Sequence, residues 1–278
     1  MTVGAGRASL FMYDMPEFRR ATESWWMGLS RAMTAEGIDG VPTCLADLSG
    51  PGGTFDAYDI WARPDLLFSQ TCGYPLTHDL AGKVTVVATP GYDCEGCRGS
   101  RYSSVILVRA DDPAAALSDL RGRRAVVNSF DSQSGFSALR IAVAPLAREG
   151  RFFGRVAKSG GHMASVEAVA AGTADVCAVD AVTFALAERY RPSAVRGLRI
   201  LSRSPEAPGL PYVTAGGVSD VDLRRLRAAL FSAIEDPELA ATRAALLIAG
   251  AEVLPDDAYG RILELENQAI ALGYGDVA

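Results

Sequence analysis

Short apolar runs alternate with amphipathic stretches along most of the chain, a pattern that predicts an α/β fold. Ser9–Tyr13 reads as a first strand, halted at Asp14-Met15-Pro16, and Glu17–Glu36 as a helix stopped by Gly37. Asp65–Phe68 and Lys83–Ala88 read as strands, the first ending in the polar cluster Ser69–Pro75 and the second in the turn-rich stretch Thr89–Arg101. Ser103–Arg109 carries a strong strand signal. Further on, Arg124–Asn128, Arg155–Lys158 and Asp175–Val179 read as strands, the last ending on Asp180. Between them, Leu117–Leu120 reads as a helical turn, Ser134–Arg148 as a helix that Pro145 can kink, and Ala164–Ala171 as a helix stopped by Gly172. Ser204–Pro211 is the most linker-like segment. Tyr212–Thr214 is strand-like beyond it, and helices near Val221–Ile234 and Asp256–Leu272 close the chain.

Boundaries near residues 105 and 210 divide this pattern into a discontinuous lobe, 1–104 with 211–278, and an inserted lobe, 105–210. Two crossings would form a hinge, and ligands favour the cleft between such lobes.

The 278 residues are 49% hydrophobic and 22% charged, which excludes a disordered, collagenous or coiled-coil chain. A net charge of −6 gives no general attraction to nucleic acid or anionic lipid, so neither is an expected partner. The longest apolar stretches, such as Ala240–Ala251, carry Arg243 and fall short of a membrane span, so no insertion is expected. Met1–Leu10 lacks the apolar core of a secretory leader. As written the protein is expected in the cytoplasm, or in the periplasm if a leader has been removed. Five cysteines argue against a disulfide scaffold, and two histidines, His78 and His162, against a His-rich metal site; no cofactor is expected.

Asn128–Gly135 lies between a predicted strand and a predicted helix. Ser132 or Ser134 can cap that helix, and Gly135 permits close backbone approach. The free N–H groups of such a turn can cradle an anion, or the turn can cap a helix and bind nothing. Gly160–Ser165 repeats the arrangement, with His162 either donating to an anion or lying solvated in a loop. Asp180, at a strand end, can accept from a ligand or cap the next helix. Cys94-Glu95-Gly96-Cys97 is a CxxC motif crowded by glycines, which favours a loop pair over a redox site at a helix start. Cys72, at a strand end, either lines a cleft or is simply buried. Trp25-Trp26 reads as core packing. A nucleophile elbow, a Walker A loop and a GxGxxG after the first strand are all missing from the sequence.

In order and spacing, a set of these segments resembles the phosphate/phosphite/phosphonate type of ABC-transporter substrate-binding protein. They are Phe11–Pro16, Pro64–Pro75, Tyr102–Arg109, Asp119–Arg124, Ser132–Gly135, Gly161-His162 with Ser165, and Ala174–Asp180. The resemblance implies a two-lobed type 2 periplasmic-binding-protein fold, each lobe a mixed sheet flanked by helices, closing on a small anionic ligand. It implies anion contacts from Ser132, Ser134, Gly135, Tyr102 and His162, and ligand reading by Tyr13, Gln70 and Asp180. Thr71 and Ser103, beside Gln70 and Tyr102, complete the implied set. An ABC permease is the implied partner, and the protein itself is expected to be a monomer or weak dimer with no catalytic residue. The alternative on the same fold is a ligand sensor or a cytoplasmic enzyme using His162, Asp180 or Cys72 as acid, base or nucleophile.

Overall fold

The structure, a computed structural model, describes residues 6–46 and 56–275. The N-terminal reading rests in part on Met1–Ala5, outside the described residues. No described helix is long and apolar enough to cross a membrane.

Strands in chain order are β1 Arg7–Ser9, β2 Leu66–Gln70, β3 Val84–Tyr92, β4 Cys97–Arg98, β5 Arg101–Tyr102, β6 Ser104–Arg109 and β7 Arg124–Val127. They continue with β8 Arg155–Lys158, β9 Val176–Asp180, β10 Leu198–Arg203, β11 Ala207–Pro208, β12 Tyr212–Ala215 and β13 Ile248–Glu252. The chain forms two compact units, Met1–Asp93 with Gly209–Pro255, and Cys94–Pro208 with Asp256–Ala278. This is a two-lobed α/β fold, each unit holding a mixed sheet flanked by helices. These bounds differ from the sequence division of 1–104 and 211–278 around 105–210. The chain crosses between units three times, and the last helix, Gly260–Ala271, clusters with the second unit. One tie is the Arg140–Glu266 ion pair at 2.9 Å, whose arginine is only 3% exposed.

In the first unit the sheet runs β1-β2-β12-β3-β13, with β1 parallel to β2 and the other pairs antiparallel. The helix Arg19–Ala35 buries Thr22, Trp25, Trp26, Leu29 and Met33, a stripe at helical spacing. As expected, the tryptophans are core: Trp25 Nε1 donates to Tyr212 Oη at 3.2 Å and Trp26 Nε1 to the Pro42 carbonyl at 3.2 Å. Each such buried aromatic adds about 1.5–3 kcal/mol of hydrophobic stabilisation.

In the second unit the main sheet runs β10-β6-β9-β7-β8. Here β7 is parallel to both β8 and β9, while β6 is antiparallel to β9 and β10. Val105, Leu107, Val126, Val166, Cys177 and Val179 form its core with neighbouring helices. A small sheet, β11-β5-β4, stands beside it in the same unit.

Several predicted bounds shift. The first strand is Arg7–Ser9, and Leu10–Tyr13 lies beyond it. β3 continues through Pro90 and Gly91 to Tyr92, because β13 pairs with that extension. The predicted helix Ser134–Arg148 divides into a π-helical turn, Gln133–Ser137, an α-helix, Ala138–Val143, and a 3-10 turn, Ala144–Leu146. Pro145 ends it early, since proline has no N–H to donate within a helix.

Candidate functional site

The parallel trio β8-β7-β9 ends, at its carboxyl edge, in the three segments that carry most of the expected second-unit residues. Open α/β sheets hold ligands at that edge, where strand ends meet helix N-termini.

After β7, the Ser132 hydroxyl accepts from Gly135 N–H at 3.0 Å. The Ser132 carbonyl accepts from Phe136 N at 3.3 Å and from Ser137 N at 3.0 Å. The five-residue reach of the second bond widens the first turn into a π-helical one, a feature frequent at functional sites. Gly135 is needed there. A Cβ on it would collide with Asn128 Oδ1 and stand 2.9 Å from Asn128 Cγ.

After β8, Ser159 ties the second turn together. Its hydroxyl lies 2.7 Å from Ser165 Oγ and donates to the Gly161 carbonyl at 2.9 Å, while Gly160 N–H donates to the Asn128 carbonyl at 3.0 Å. The helix His162–Ala170 starts there with Gly161 in extended conformation as its cap. This arrangement brings two expected residues into contact, with Ser134 Oγ and His162 Nε2 2.8 Å apart. His162 is half-buried as a residue, yet its Nδ1 is closed off from solvent. Burial lowers the imidazole to about 4, and a backbone contact from Ala178 partly offsets this. The ring is therefore neutral at physiological pH and contributes hydrogen bonding without charge.

After β9, Asp180 caps the helix Ala181–Tyr190, with Oδ1 accepting from Val182 N at 2.8 Å and Thr183 N at 3.1 Å. In register, Asp180 lies opposite Ser104. Ser103 is committed to the neighbouring turn: its N–H and hydroxyl donate to the Gly96 carbonyl at 2.8 and 3.2 Å. Tyr102 is buried on β5, opposite Cys97 on β4.

The first unit gathers its expected residues around Tyr92. The Tyr13 ring meets Tyr92 edge-on, with centroids 5.2 Å apart. The Gln70 amide donates to Tyr92 Oη at 3.0 Å and to the Leu210 carbonyl at 3.0 Å. Thr71 is buried, its N–H donating to the Pro211 carbonyl at 3.1 Å. Cys72 is buried at the cap of the short helix Gly73–Thr77.

Sequence reasoning left out Tyr92 and the Asn128 side chain. Tyr92 was hidden by Pro90-Gly91, which read as a turn. The glycine at 135 was the available signal for Asn128, since close approach needs something to approach.

Residues 63–259 match the family described as "ABC transporter, phosphonate, periplasmic substrate-binding protein". The chain belongs to this family. It is thus a substrate-binding protein for a small anionic, phosphonate- or phosphate-like ligand, and non-enzymatic in its family role. Among the described residues no group of three or more His, Cys, Asp or Glu is placed to hold a metal ion. Membership in a periplasmic family supports a periplasmic location.

The fold is similar to a binding-protein component of an ABC phosphonate transporter from Pseudomonas aeruginosa. Identity is 18%, coverage 97% of this chain and 87% of that one, and the TM-score 0.75. PhnD1 from Prochlorococcus marinus, solved with methylphosphonate, is 14% identical over 96% of this chain and 98% of its own, with a TM-score of 0.75. A Xanthomonas citri protein solved with ATP is 18% identical over 97% and 98%, with a TM-score of 0.68. No curated protein matches the sequence.

Proposed function

We propose that this substrate-binding protein holds the oxyanion of a phosphonate at the Ser132–Gly135 and Gly161–Ser165 turns and delivers it to an ABC permease. The observation that carries the reading is the 2.8 Å contact between Ser134 Oγ and His162 Nε2 at the mouth of two strand-to-helix turns. A neutral imidazole protonated on Nε2 donates to Ser134 Oγ and leaves the serine O–H to point at the anion. His162 thereby acts as a positioning residue, and helix N-termini supply the positive potential that a cation would otherwise give. The buried Asn128 Oδ1 has no hydrogen-bond partner among the described residues. Turning that amide would offer an N–H to the same oxyanion. The remaining expected residues, Tyr13, Gln70, Thr71, Tyr102, Ser103 and Asp180, would shape the rest of the ligand site, with the two units closing on the ligand.

Calorimetric titration with methylphosphonate, phosphite, phosphate and ATP tests the reading. ATP is included because a protein of similar fold was solved with it. One charge-assisted hydrogen bond is worth about 1.5–3 kcal/mol, so Ser134→Ala and His162→Ala should each weaken the best ligand by roughly 10- to 150-fold. Unchanged affinity in both folded variants would overturn the cradle.

A further inference from the structure

The binding reading leaves one motif unused: Cys94-Glu95-Gly96-Cys97, at the start of the second unit. Cys94 Sγ and Cys97 Sγ are 3.4 Å apart, in hydrogen-bond contact, and both residues are half-buried. The backbone already forms the turn that a bridge needs, with Cys97 N–H donating to the Cys94 carbonyl at 3.1 Å. Gly96, at φ +98°, makes that turn possible, and a Cβ there would meet Arg203 Nη1 at 2.6 Å, Ala181 Cβ at 3.0 Å and Ser103 Oγ at 3.1 Å. The loop is therefore seated against the N-terminus of the helix Ala181–Tyr190 rather than hanging free. Arg203 also pairs with Glu95 at 2.7 Å, and its charge partly offsets the upward push on the Cys97 thiol. Positive charge beside a thiol favours the thiolate that reacts with disulfides.

We propose that Cys94 and Cys97 form a thiol–disulfide couple, which a small-molecule disulfide of the glutathione type oxidises to an intramolecular bridge. The Cys94 thiolate attacks one sulfur of the reagent, a mixed disulfide forms, and the first reagent thiolate leaves. Cys97 then gives up its proton and attacks Cys94 Sγ, the bridge closes, and the second reagent thiolate leaves. Two protein thiols are oxidised, one reagent disulfide is reduced to two thiols, and the two protons end on those thiols. Closing the bond brings the sulfurs from 3.4 Å to about 2.0 Å. The order of attack follows from the surroundings. The Cys97 thiol is pushed well above the ordinary thiol range by the Cys94 contact, by burial and by the Asp180 carboxylate, which disfavours Cys97 as the first attacking thiolate. Cys97 also pairs across β4–β5 with Tyr102, and Gly96 accepts from Ser103, so the bridge would lock the segment that carries these two candidate ligand residues.

The chemistry can be followed without any ligand, so it stands or falls apart from the binding reading. The full chain is equilibrated in mixtures of reduced and oxidised glutathione, blocked with iodoacetamide, and digested with trypsin. Val84–Arg98 then holds both cysteines in one peptide. The expected result is loss of two hydrogens from that peptide, with neither cysteine alkylated. Cys97→Ser should stop at a Cys94–glutathione mixed disulfide, and Cys94→Ser should react at least about tenfold more slowly at Cys97. A pair that stays fully alkylatable in the folded wild-type protein at every glutathione ratio overturns the proposal, whatever the variants do. So does glutathione found on exposed Cys44 alone.

Discussion

Gly135 and Asn128 share a space that admits only one of their side chains. Gly135→Ala would drive a methyl group into the Asn128 amide, on a residue whose main-chain carbonyl accepts from Gly160 in the second turn. Overpacking of this kind costs about 1–3 kcal/mol, so the variant is expected to melt earlier and to bind its small anionic ligand more weakly. Thermal denaturation paired with titration checks both; a variant that loses neither would show that the turn yields. His162 gives a pH-dependent counterpart. Its folded value lies near 4 against the usual 6.5, so between those limits the unfolded chain takes up a proton that the folded one refuses. Stability from the neutral ring is complete above 6.5 and drains away as pH falls towards 4, by roughly 3 kcal/mol. Urea denaturation across that range should show the slope in the wild type and a shallower one in His162→Gln. Equal slopes would mean the ring titrates normally. At this scale the sequence was informative where residue type is restrictive. Ser132, Ser134, Gly135 and His162 converge because small hydroxyls and glycine suit helix starts. The Asn128 amide was illegible because nothing local says which way it turns.

Among the elements, the three helix starts after β7, β8 and β9 obey different capping logic. Ser132 and Asp180 cap through side chains, whereas Gly161 caps through backbone alone. Asp180→Ala should cost about 0.5–2 kcal/mol by freeing the Val182 and Thr183 N–H groups, while Asp180→Asn should stay within a few tenths of the wild type. Should Asp180→Asn nevertheless weaken ligand binding at unchanged stability, the carboxylate reads the ligand as well as the helix; melting and titration of the pair separate the two roles. The apolar core strands β6, β7 and β9 lie within about a residue of their sequence readings, because continuous Val/Ile/Leu runs buried on both faces leave little choice. β13 and β10 were missed for the opposite reason. Ile248–Glu252 contains glycine and alanine, and Leu198–Arg203 mixes arginines with apolar residues, so their strand character comes from their partners β3 and β6. The π-helical turn was also beyond reach, since its longer hydrogen bond depends on how tightly Gly135 is pressed.

Over the whole molecule, the two-lobed architecture was legible, but the grouping of the last segment with the second unit was not. An amphipathic helix announces that it has an apolar face, and says nothing about which core receives it. Arg140 helps to decide. It is almost wholly buried, donates to Glu266 at 2.9 Å and to the Gly275 carbonyl at 3.0 Å, and lies over the Phe136 ring. Removing one partner of a buried ion pair costs about 3–5 kcal/mol, so Glu266→Ala should destabilise the protein by around 3 kcal/mol. Breaking the exposed Arg225–Asp222 pair should cost under about 1 kcal/mol. Chemical denaturation compares them, and similar losses would deny Arg140 its special place.

That clasp also fixes an order of events as the chain is synthesised. Arg140 and Glu266 are 126 positions apart, and at about 5–20 residues per second the carboxylate is made roughly 6–25 s after the guanidinium it neutralises. Through that interval Phe136, in the candidate anion turn, and Arg140, just after it, belong to a domain whose final counter-charge does not yet exist. Translation that stops short of Glu266 leaves a cation with no carboxylate to bury it. The unit that carries the candidate oxyanion turns thus completes its pairing last, and a polypeptide cut short of Glu266 lacks that pairing altogether.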